Sequence, residues 1–239
     1  MAKFEKKKDA GYNERLFSKG LRGKLHSGRF EWVNHTLRRA GVPSNSVLEL
    51  GAFDGKVINW LPEKPKRYLG LDANWENGLE IAAARWKEHP EYEFRHCNAP
   101  ERMFLAGEKF DVSLCMETLE HVPTNMVDPY LAELARATRH LSLISVPNEI
   151  GPVFAAKYLT KLAFGDAYPY SVSEMWYQTL GRVENVVRDQ HKGFSYRRFQ
   201  MQLERHFEIV RIEGIPFRAL PPYLSFGIGF VVCPKRLTA

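Results

Sequence analysis

The sequence predicts an α/β fold with a doubly wound, mostly parallel sheet of seven strands and helices on both faces. Between residues 46 and 147, short apolar runs alternate with amphipathic segments, which is the pattern of successive strand–helix–strand units. Two further apolar runs, 207–215 and 224–234, have no helix between them, so they predict an antiparallel C-terminal hairpin. Residues 150–192 carry several aromatic residues and prolines without strand periodicity, which favours a helical insertion that acts as a lid.

Each element is predicted from the spacing of its apolar residues. The first five strands are short apolar runs, at 46–50, 67–71, 92–97, 110–115 and 140–147. Helices are predicted near 55–61, 75–88, 125–139 and 195–205. Residues 11–40 also show helical spacing and end at Gly41, a common helix stop. The chain is therefore predicted to be one domain, 1–239, with an N-terminal helical cap over 1–42.

Composition narrows the class of protein. The 239 residues carry a net charge of +6, which favours anionic partners such as phosphates. The three cysteines lie far apart in apolar surroundings, so they predict reduced core residues rather than disulfides or a zinc site. No apolar run approaches the roughly 18–20 residues of a membrane span, and no apolar segment follows the first lysines. A cytoplasmic location is the expectation.

The first strand–turn–helix unit carries the features of a nucleotide site. Gly51 and Gly55 bracket the turn, where glycine permits positive φ and close approach of a ligand. A glycine-rich turn alone also fits an ordinary tight connection between a strand and a helix. Asp72 ends the second strand 21 residues after Gly51, where an acid can accept both hydroxyls of a ribose. Together the two features predict a ribose-containing ligand.

Glu49 distinguishes between cofactors. It lies inside the first strand, in E-x-G-x-x-x-G rather than the G-x-G-x-x-G of dinucleotide-binding proteins. An acid beside the turn suits a ligand with a positively charged amino group.

These residues resemble the class I S-adenosylmethionine-dependent methyltransferases, and the resemblance covers nearly the whole chain. "VLELGAFDG" (47–55) is similar to their first motif, with Phe53 in place of the commoner middle glycine. The resemblance implies a Rossmann-like seven-stranded methyltransferase sheet and S-adenosylmethionine as the cofactor. It implies that Glu49 and the turn from Gly51 to Gly55, with Ala52 and Phe53, hold the methionine part, and that Asp72 binds the ribose. It also implies that Ala73 and Asn74 lie beside the adenine, that Asn98, next to Ala99, contacts the adenine amino group, and that Met116 is a further cofactor-binding residue. Asn98, in "FRHCNAPE", also fits a plain turn residue.

The stretch "CMETLEHVP" follows the fourth strand, at the sheet edge that faces the ligand crevice. Glu117, Glu120 and His121 are spaced i, i+3, i+4, so one helical turn would place them on one face. Methyl transfer to a hydroxyl needs a general base or a metal ion, and carboxylate and imidazole groups can supply either. L-E-H-V also occurs in small-molecule methyltransferases, including ubiquinone-biosynthesis O-methyltransferases.

His191 is the candidate fourth member of this site, because it lies where the chain returns from the lid to the sheet. With it, the arrangement resembles the magnesium-dependent small-RNA terminal 2′-O-methyltransferases. Three alternatives remain open at this point. The four residues bind a divalent metal (Mg, Mn, Fe or Zn), or His121 or His191 acts as a metal-free general base, or the residues are structural. His121, His191 and Glu117 are the candidate catalytic residues.

The acceptor side is predicted from the N-terminal cap and the lid. Arg22, His26 and Arg29 are spaced four and three apart, so they share a helix face suited to a phosphate or carboxylate, or to solvent. Asn148 and Glu149 follow the fifth strand and resemble the family's substrate-side loop. The candidates for aromatic walls of the pocket are Tyr12, Tyr168, Tyr170, Trp176 and Tyr177.

The sequence thus predicts an O-methyltransferase that acts on a hydroxyl, or a phosphate-type oxygen, of a small molecule or a sugar or polysaccharide precursor. A 2′-O-methyltransferase of RNA is an alternative, although no RNA-binding module is recognisable and aromatic residues are not interleaved with the basic ones. A non-catalytic cofactor-binding subunit is a second alternative, which the glycine turn, Asp72 and the acid–histidine cluster disfavour.

Overall fold

The computed structural model of the protein describes residues 21–103, 107–163, 169–189 and 191–235; the side chains of residues 21, 22, 24, 25 and 163 are outside this description. Within it, seven strands form one sheet: β1 (Ser46–Leu50), β2 (Arg67–Asp72), β3 (Tyr92–His96), β4 (Phe110–Met116), β5 (Thr138–Pro147), β6 (Phe207–Ile215) and β7 (Gly227–Pro234). Their order across the sheet is β3-β2-β1-β4-β5-β7-β6. Strands β1 to β5 are parallel, whereas β7 runs antiparallel to both β5 and β6. The predicted sheet and its C-terminal hairpin are confirmed.

The helices connect and cover these strands. They are α1 (Leu21–Ala40), α2 (Gly78–Arg85), α3 (Thr124–Ala137), α4 (Gly151–Ala163), α5 (Val172–Leu180) and α6 (Tyr196–His206). Short 3-10 turns at Lys56–Trp60 and Leu119–His121 follow β1 and β4. Helices α4 and α5 lie in the predicted lid, and α1 forms the described part of the predicted cap. Among the described residues, no helix has both the length and the apolar character that a membrane crossing requires.

Most elements begin and end within two residues of their predicted bounds, and two differ more clearly for local reasons. The predicted helix at 75–88 is a 3-10 turn, Trp75–Asn77, followed by α2, because Asn74, Glu76 and Asn77 all have positive φ. The last strand begins at Gly227 rather than 224, because Pro222–Leu224 forms a 3-10 turn.

The sheet is buried on both faces, as expected for parallel strands between helices. On one face, Leu48 and Cys115 pack with apolar residues of α3 and α6. On the other, Val47 and Val112 pack with residues of α1, including Trp32. All three cysteines are free, and Cys97 and Cys115 are buried, in agreement with the prediction of core thiols.

The strand register brings the chemical groups together. Leu50, the last residue of β1, pairs with Leu71 of β2 on one side and with Cys115 of β4 on the other. The residues that follow these strands therefore meet at one edge of the sheet, the edge formed by the carboxyl ends of the parallel strands. The strand order reverses direction between β1 and β4, and open α/β sheets bind their ligands at the carboxyl edge beside such a reversal.

Candidate cofactor and acceptor site

A cavity of about 740 Å³ opens at this edge of the sheet. It is lined at one end by Asp72, Ala73 and Asn98, and at the other by residues 116–123 and by His191. Helix α1 contributes His26, Arg29 and Phe30. The cavity is therefore lined by the carboxyl ends of β1, β2 and β4, by the described helix of the cap and by the segment that follows the lid.

Gly51 opens the turn after β1, and glycine is required there for two reasons. Its φ is +80°, a backbone angle that residues with a side chain rarely adopt. An added Cβ would also lie 2.7 Å from Thr118 Cγ2 and closer still to Thr118 Oγ1. The amide groups of Gly51 and Ala52 both donate to the carbonyl of Leu71, at 2.7 and 3.1 Å. The turn is thus held between β2 and Thr118, with Ala52 and Phe53 lining the cavity.

Asp72 joins the two loops that flank the predicted ribose position. One carboxylate oxygen accepts from the amide of Phe53 at 3.0 Å, and the other accepts from the amide of Asn74 at 2.7 Å. A carboxylate has further acceptor sites beyond these two bonds. Asp72 also lines the cavity, so its arrangement fits the ribose-binding role that the resemblance implies.

Three predicted cofactor residues lie outside the cavity lining and act on the loops instead. The side chain of Asn74 accepts from Leu79 N at 3.0 Å and so caps the start of α2. A Cβ at Gly55 would meet Phe94 at 2.8 Å, so this glycine faces the core. The carbonyl of Ala99 accepts from Arg102 N at 3.0 Å. For these three residues the geometry indicates a structural contribution to the site rather than contact with a ligand.

Glu49 is buried in β1 and lines the cavity. The hydroxyl of Tyr68 donates to its carboxylate. Burial raises the pKa of Glu49 to about 8, although the hydrogen bond from Tyr68 opposes this shift. Glu49 is therefore mostly protonated at neutral pH, and a cationic ligand group beside it would favour the ionised form.

This protonation predicts a proton release on cofactor binding. If the amino group of the ligand lies beside Glu49, binding of S-adenosylhomocysteine at pH 7 should release close to one proton, because a group with a pKa of about 8 becomes ionised. Calorimetric titrations in buffers of different ionisation enthalpy measure the released protons. Glu49→Gln, which cannot ionise, should release none. Equal release by the two proteins would place the ammonium group elsewhere.

The same shift predicts the pH dependence of stability. The folded-state pKa of Glu49 is raised above its ordinary value of 4.5, so the unfolded chain loses this proton first as the pH rises. The contribution of Glu49 to the free energy of unfolding is therefore complete below pH 4.5 and falls until about pH 8. Glu49→Gln should gain stability over the wild type across this window in ligand-free denaturant unfolding. Parallel curves for the two proteins would contradict the shift.

The acid–histidine cluster lies at the other end of the cavity. One ligand atom from each of Glu120, His121 and His191 falls within 4.8 Å of the other two. The two imidazole rings are perpendicular, with centroids 4.7 Å apart. Neither carboxylate oxygen of Glu120 has a hydrogen-bond partner in the part of the chain that the structure describes, although both are buried. A buried carboxylate without partners is unfavourable, so this group fits the coordination of a cation.

Glu117 does not share a helical face with Glu120 and His121, and this part of the prediction is wrong. Its φ is +52°, and the helical turn begins two residues later, at Leu119. Strained backbone of this kind occurs at functional sites. Glu117 is outside the three-residue group, but it lines the same cavity. Burial raises the pKa of Glu117, and the positive charges of Arg29 and Lys157 oppose the shift.

Burial controls the charge of the other cluster residues as well. It raises the pKa of Glu120 well above the ordinary value, and the nearby Glu117 raises it further. Burial lowers the pKa of His121, and it lowers that of His191 to about 3, assisted by His121. Both imidazoles are therefore neutral near pH 7. A neutral imidazole can bind a metal ion or accept a proton.

The acceptor-side residues divide into two groups. His26 and Arg29 line the cavity, as their shared helix face predicts, whereas the side chain of Arg22 and the whole of Tyr12 lie outside the described residues. Asn148 and Glu149 do not line the cavity. Asn148 is fully buried and donates to the carbonyls of Tyr223 and Ser225, at 3.2 and 3.0 Å.

Glu149 lies next to His191 of the cluster but does not line the cavity. Its Oε1 accepts from Lys157 Nζ at 2.6 Å and lies 3.7 Å from His191 Nδ1. That separation is too long for a hydrogen bond, and Nδ1 is buried without such a partner among the described residues. Glu149 therefore borders His191 rather than an acceptor.

The predicted aromatic walls are not found in the cavity. Tyr170, Trp176 and Tyr177 do not line it, and Trp176 is 63% exposed; Tyr168 lies outside the described residues. Several lining residues carry no recognisable sequence signal, namely Phe30, Trp75, Thr118, Met126 and Tyr130. They reach the cavity through tertiary packing, which periodicity does not report.

Comparison with known proteins agrees with this geometry. Residues 47–140 match a family described as a methyltransferase domain. A ubiquinone biosynthesis O-methyltransferase from Aromatoleum aromaticum is 28% identical over 96 residues, which are 40% of this chain and 39% of that protein. A second such relative, from Stutzerimonas stutzeri, is 29% identical over 96 residues and is also covered for 40% of its length. The chain thus spans about two fifths of the curated relatives that it matches.

The fold extends the likeness beyond the matched residues. A crystal structure of an S-adenosylmethionine-dependent methyltransferase from Clostridium acetobutylicum has a TM-score of 0.65 at 11% identity and covers 93% of this chain and 95% of its own. Its likeness shows the fold alone. With the methyltransferase match and with Gly51, Asp72 and Asn98 at one cavity, the cofactor that these residues fit is S-adenosylmethionine. Residues 47–140 therefore match a methyltransferase domain, and the chain has the fold of class I S-adenosylmethionine-dependent methyltransferases.

Proposed function

We propose that the protein transfers the methyl group of S-adenosylmethionine to a hydroxyl of a small or glycosidic acceptor, at a site where Glu120, His121 and His191 hold a divalent metal. The observation that carries the proposal is the buried carboxylate of Glu120. It has no hydrogen-bond partner among the described residues, yet one of its oxygens lies within 4.8 Å of a ring nitrogen of each of two imidazoles. The O-methyltransferase names of the curated relatives support the acceptor atom.

In this proposal one end of the cavity binds the cofactor and the other end binds the acceptor. The Gly51 turn, Asp72 and Asn98 would hold the cofactor, and His26 and Arg29 on α1 would close the cavity over the acceptor. A metal ion, when bound, would polarise the acceptor hydroxyl as a Lewis acid. Mixed carboxylate and imidazole ligands are compatible with Mg, Mn, Fe or Zn.

The reaction itself is an in-line displacement. A new C–O bond forms to the acceptor oxygen, the S–C bond of the sulfonium breaks, and the hydroxyl proton leaves. The imidazoles of His121 and His191 border this end of the cavity, and without a metal either neutral ring can take that proton. If both rings held a metal, their lone pairs would be occupied and the proton would pass to water. Glu120 is buried and Glu117 is half-buried in the same region. Val122 and Met126 add apolar side chains to the lining of this end of the cavity.

Two measurements test the metal and the reaction separately. Titration calorimetry with Mn²⁺ should show binding to the wild type and loss of binding in Glu120→Gln. Release of S-adenosylhomocysteine, followed over a panel of hydroxylated and phosphorylated metabolites and a short RNA, should stop after exhaustive chelation and recover on adding metal. Activity that survives chelation would instead assign proton removal to His121 or His191 alone. Turnover restricted to the RNA would overturn the small-molecule acceptor.

A further inference from the structure

The outer surface of the lid exposes an unusual set of apolar side chains. Helix α5 carries Val172, Trp176 and Leu180 at intervals of four residues, and they are 82%, 63% and 48% exposed. This spacing puts them in one stripe along the helix. Helix α4, which contacts α5, exposes Leu159 and Leu162. Both helices thus turn apolar residues toward solvent.

The loop between β6 and β7 extends this surface. Its 3-10 turn contacts α4, and Lys157 of α4 lies over the ring of Phe226, 4.5 Å from its centroid. The loop exposes Phe217, Leu220, Tyr223 and Leu224. Of the fourteen large hydrophobic side chains that are exposed in the described residues, nine lie on α4, α5 and this loop. We call these nine residues the apolar lid face.

Exposed basic residues border the apolar lid face, and the exposed acid that follows α5, Glu184, is paired with Arg198 at 2.9 Å. Lys161, Arg182 and Arg218 are exposed on α4, just after α5 and on the loop. Residues 151–163 and 216–226 contain no acidic residue. The one acid of α5, Glu174, is paired with Lys192 at 2.7 Å. An apolar surface with tryptophan and tyrosine, bordered by lysine and arginine, matches the interface of an anionic bilayer.

The apolar lid face lies close to the acceptor end of the cavity, on the opposite side of α4. On its inner side, α4 supplies Lys157, which binds Glu149, and Glu149 borders His191 at the acceptor end of the cavity. The apolar lid face is therefore the outside of the wall behind the acceptor site. A bilayer that contacts it would lie next to the end of the cavity where the acceptor is expected.

We propose that the apolar lid face docks the protein onto a bilayer surface that contains anionic phospholipid. Docking buries the α5 stripe and the loop aromatics at the level of the lipid headgroups, while Lys161, Arg182 and Arg218 contact lipid phosphates. The proposal goes beyond methyl transfer, because surface binding needs neither turnover nor a known acceptor. Since both helices are short, they lie on the membrane rather than across it.

Vesicle flotation tests the docking. The full chain should float with vesicles of equimolar phosphatidylcholine and phosphatidylglycerol, and binding should weaken in high salt and without phosphatidylglycerol. The triple variant Val172→Ser, Trp176→Ser, Leu180→Ser should lose about tenfold or more in partitioning. The matched control changes three exposed apolar residues elsewhere, Ile81→Ser, Met201→Ser and Val210→Ser, and should float like the wild type.

Tryptophan fluorescence tests the same contact with the bilayer, and it needs only single substitutions. Addition of anionic vesicles should shift the tryptophan emission to shorter wavelength, and Trp176→Phe should remove most of that shift. Trp75→Phe, at the other exposed tryptophan near the cavity, should retain it.

Three outcomes would overturn the proposal. The first is wild-type protein that stays unbound to anionic vesicles. The second is a triple variant that floats as well as the wild type, because the basic N-terminal residues, which it retains, would then account for binding. The third is a wild-type dimer in sedimentation that the triple variant dissociates, since the face would then bind a second copy of this chain. None of these outcomes depends on the proposed methyl transfer.

Discussion

Replacing Glu120 with glutamine is expected to lower the rate of methyl transfer by about 10²–10⁴-fold while leaving cofactor affinity unchanged. Glutamine keeps the shape of the side chain but removes the charge that would bind the metal. A Lewis acid contributes several kcal/mol to stabilising developing charge, and each 1.36 kcal/mol corresponds to tenfold in rate. The measurement is kcat with an acceptor from the panel, beside the calorimetric affinity for S-adenosylhomocysteine.

The stability of Glu120 variants separates a functional residue from a structural one. Both oxygens of the carboxylate are buried without hydrogen-bond partners among the described residues, so the group destabilises the metal-free protein. Glu120→Met, which fills a similar volume without polar atoms, should raise the free energy of unfolding by about 1–3 kcal/mol. A variant that is inactive yet more stable is the signature of a residue kept for binding.

The control for this experiment is Glu184→Gln. Glu184 is an exposed glutamate that pairs with Arg198 at 2.9 Å, outside the cavity, and its loss should change neither rate nor stability measurably. Full activity and unchanged Mn²⁺ affinity in Glu120→Gln would remove Glu120 from the site. Destabilisation by Glu120→Met would mean that the carboxylate has a structural partner in the folded protein.

Replacing Asp72 with alanine is expected to weaken binding of S-adenosylhomocysteine by about 10²-fold or more. The substitution removes the predicted acceptor for the ribose and also the two bonds that hold the amides of Phe53 and Asn74. Hydrogen bonds to charged groups are worth about 1.5–3 kcal/mol each, and 1.4 kcal/mol is tenfold in affinity. Calorimetric titration of the ligand measures the loss.

Asp72→Asn distinguishes the two parts of this effect. Asparagine can still accept one of the backbone bonds, so it should preserve more of the loop but lose the charge, and its affinity should lie between those of the wild type and Asp72→Ala. Asp128→Ala, at a half-buried acid outside the cavity that lies 3.2 Å from His206, is the matched control and should bind normally. Normal binding by Asp72→Ala would show that the cofactor lies elsewhere.

The cofactor end of the site was predictable because its signals are local. Gly51 and Asp72 lie at the ends of adjacent strands, and a few consecutive residues are enough to identify each turn. Even here, Gly55 and Asn74 look like ligand contacts in the sequence but face the core and the start of α2. A spacing identifies the loop, whereas the direction of each side chain depends on the backbone angles.

The acceptor end was predictable only in part. His191 was correctly placed with Glu120 and His121, since strand topology returns the chain to the same edge of the sheet. Glu117 was placed wrongly, because the i, i+3, i+4 spacing assumes a helix and this residue has positive φ. Asn148 was predicted to reach an acceptor, but it instead holds the carbonyls of Tyr223 and Ser225.

By itself, the sequence determined the order of strands and helices, the glycine turn, the acid at the end of β2 and the presence of an acid–histidine motif. These features follow from periodicity and turn chemistry, which act between neighbours in the chain. The tertiary structure alone decided that Glu120 is buried without partners in the described residues, that Glu117 stands apart, and that Trp176 faces solvent instead of the cavity. Burial and exposure depend on segments that are distant in sequence, and only folding brings those segments together.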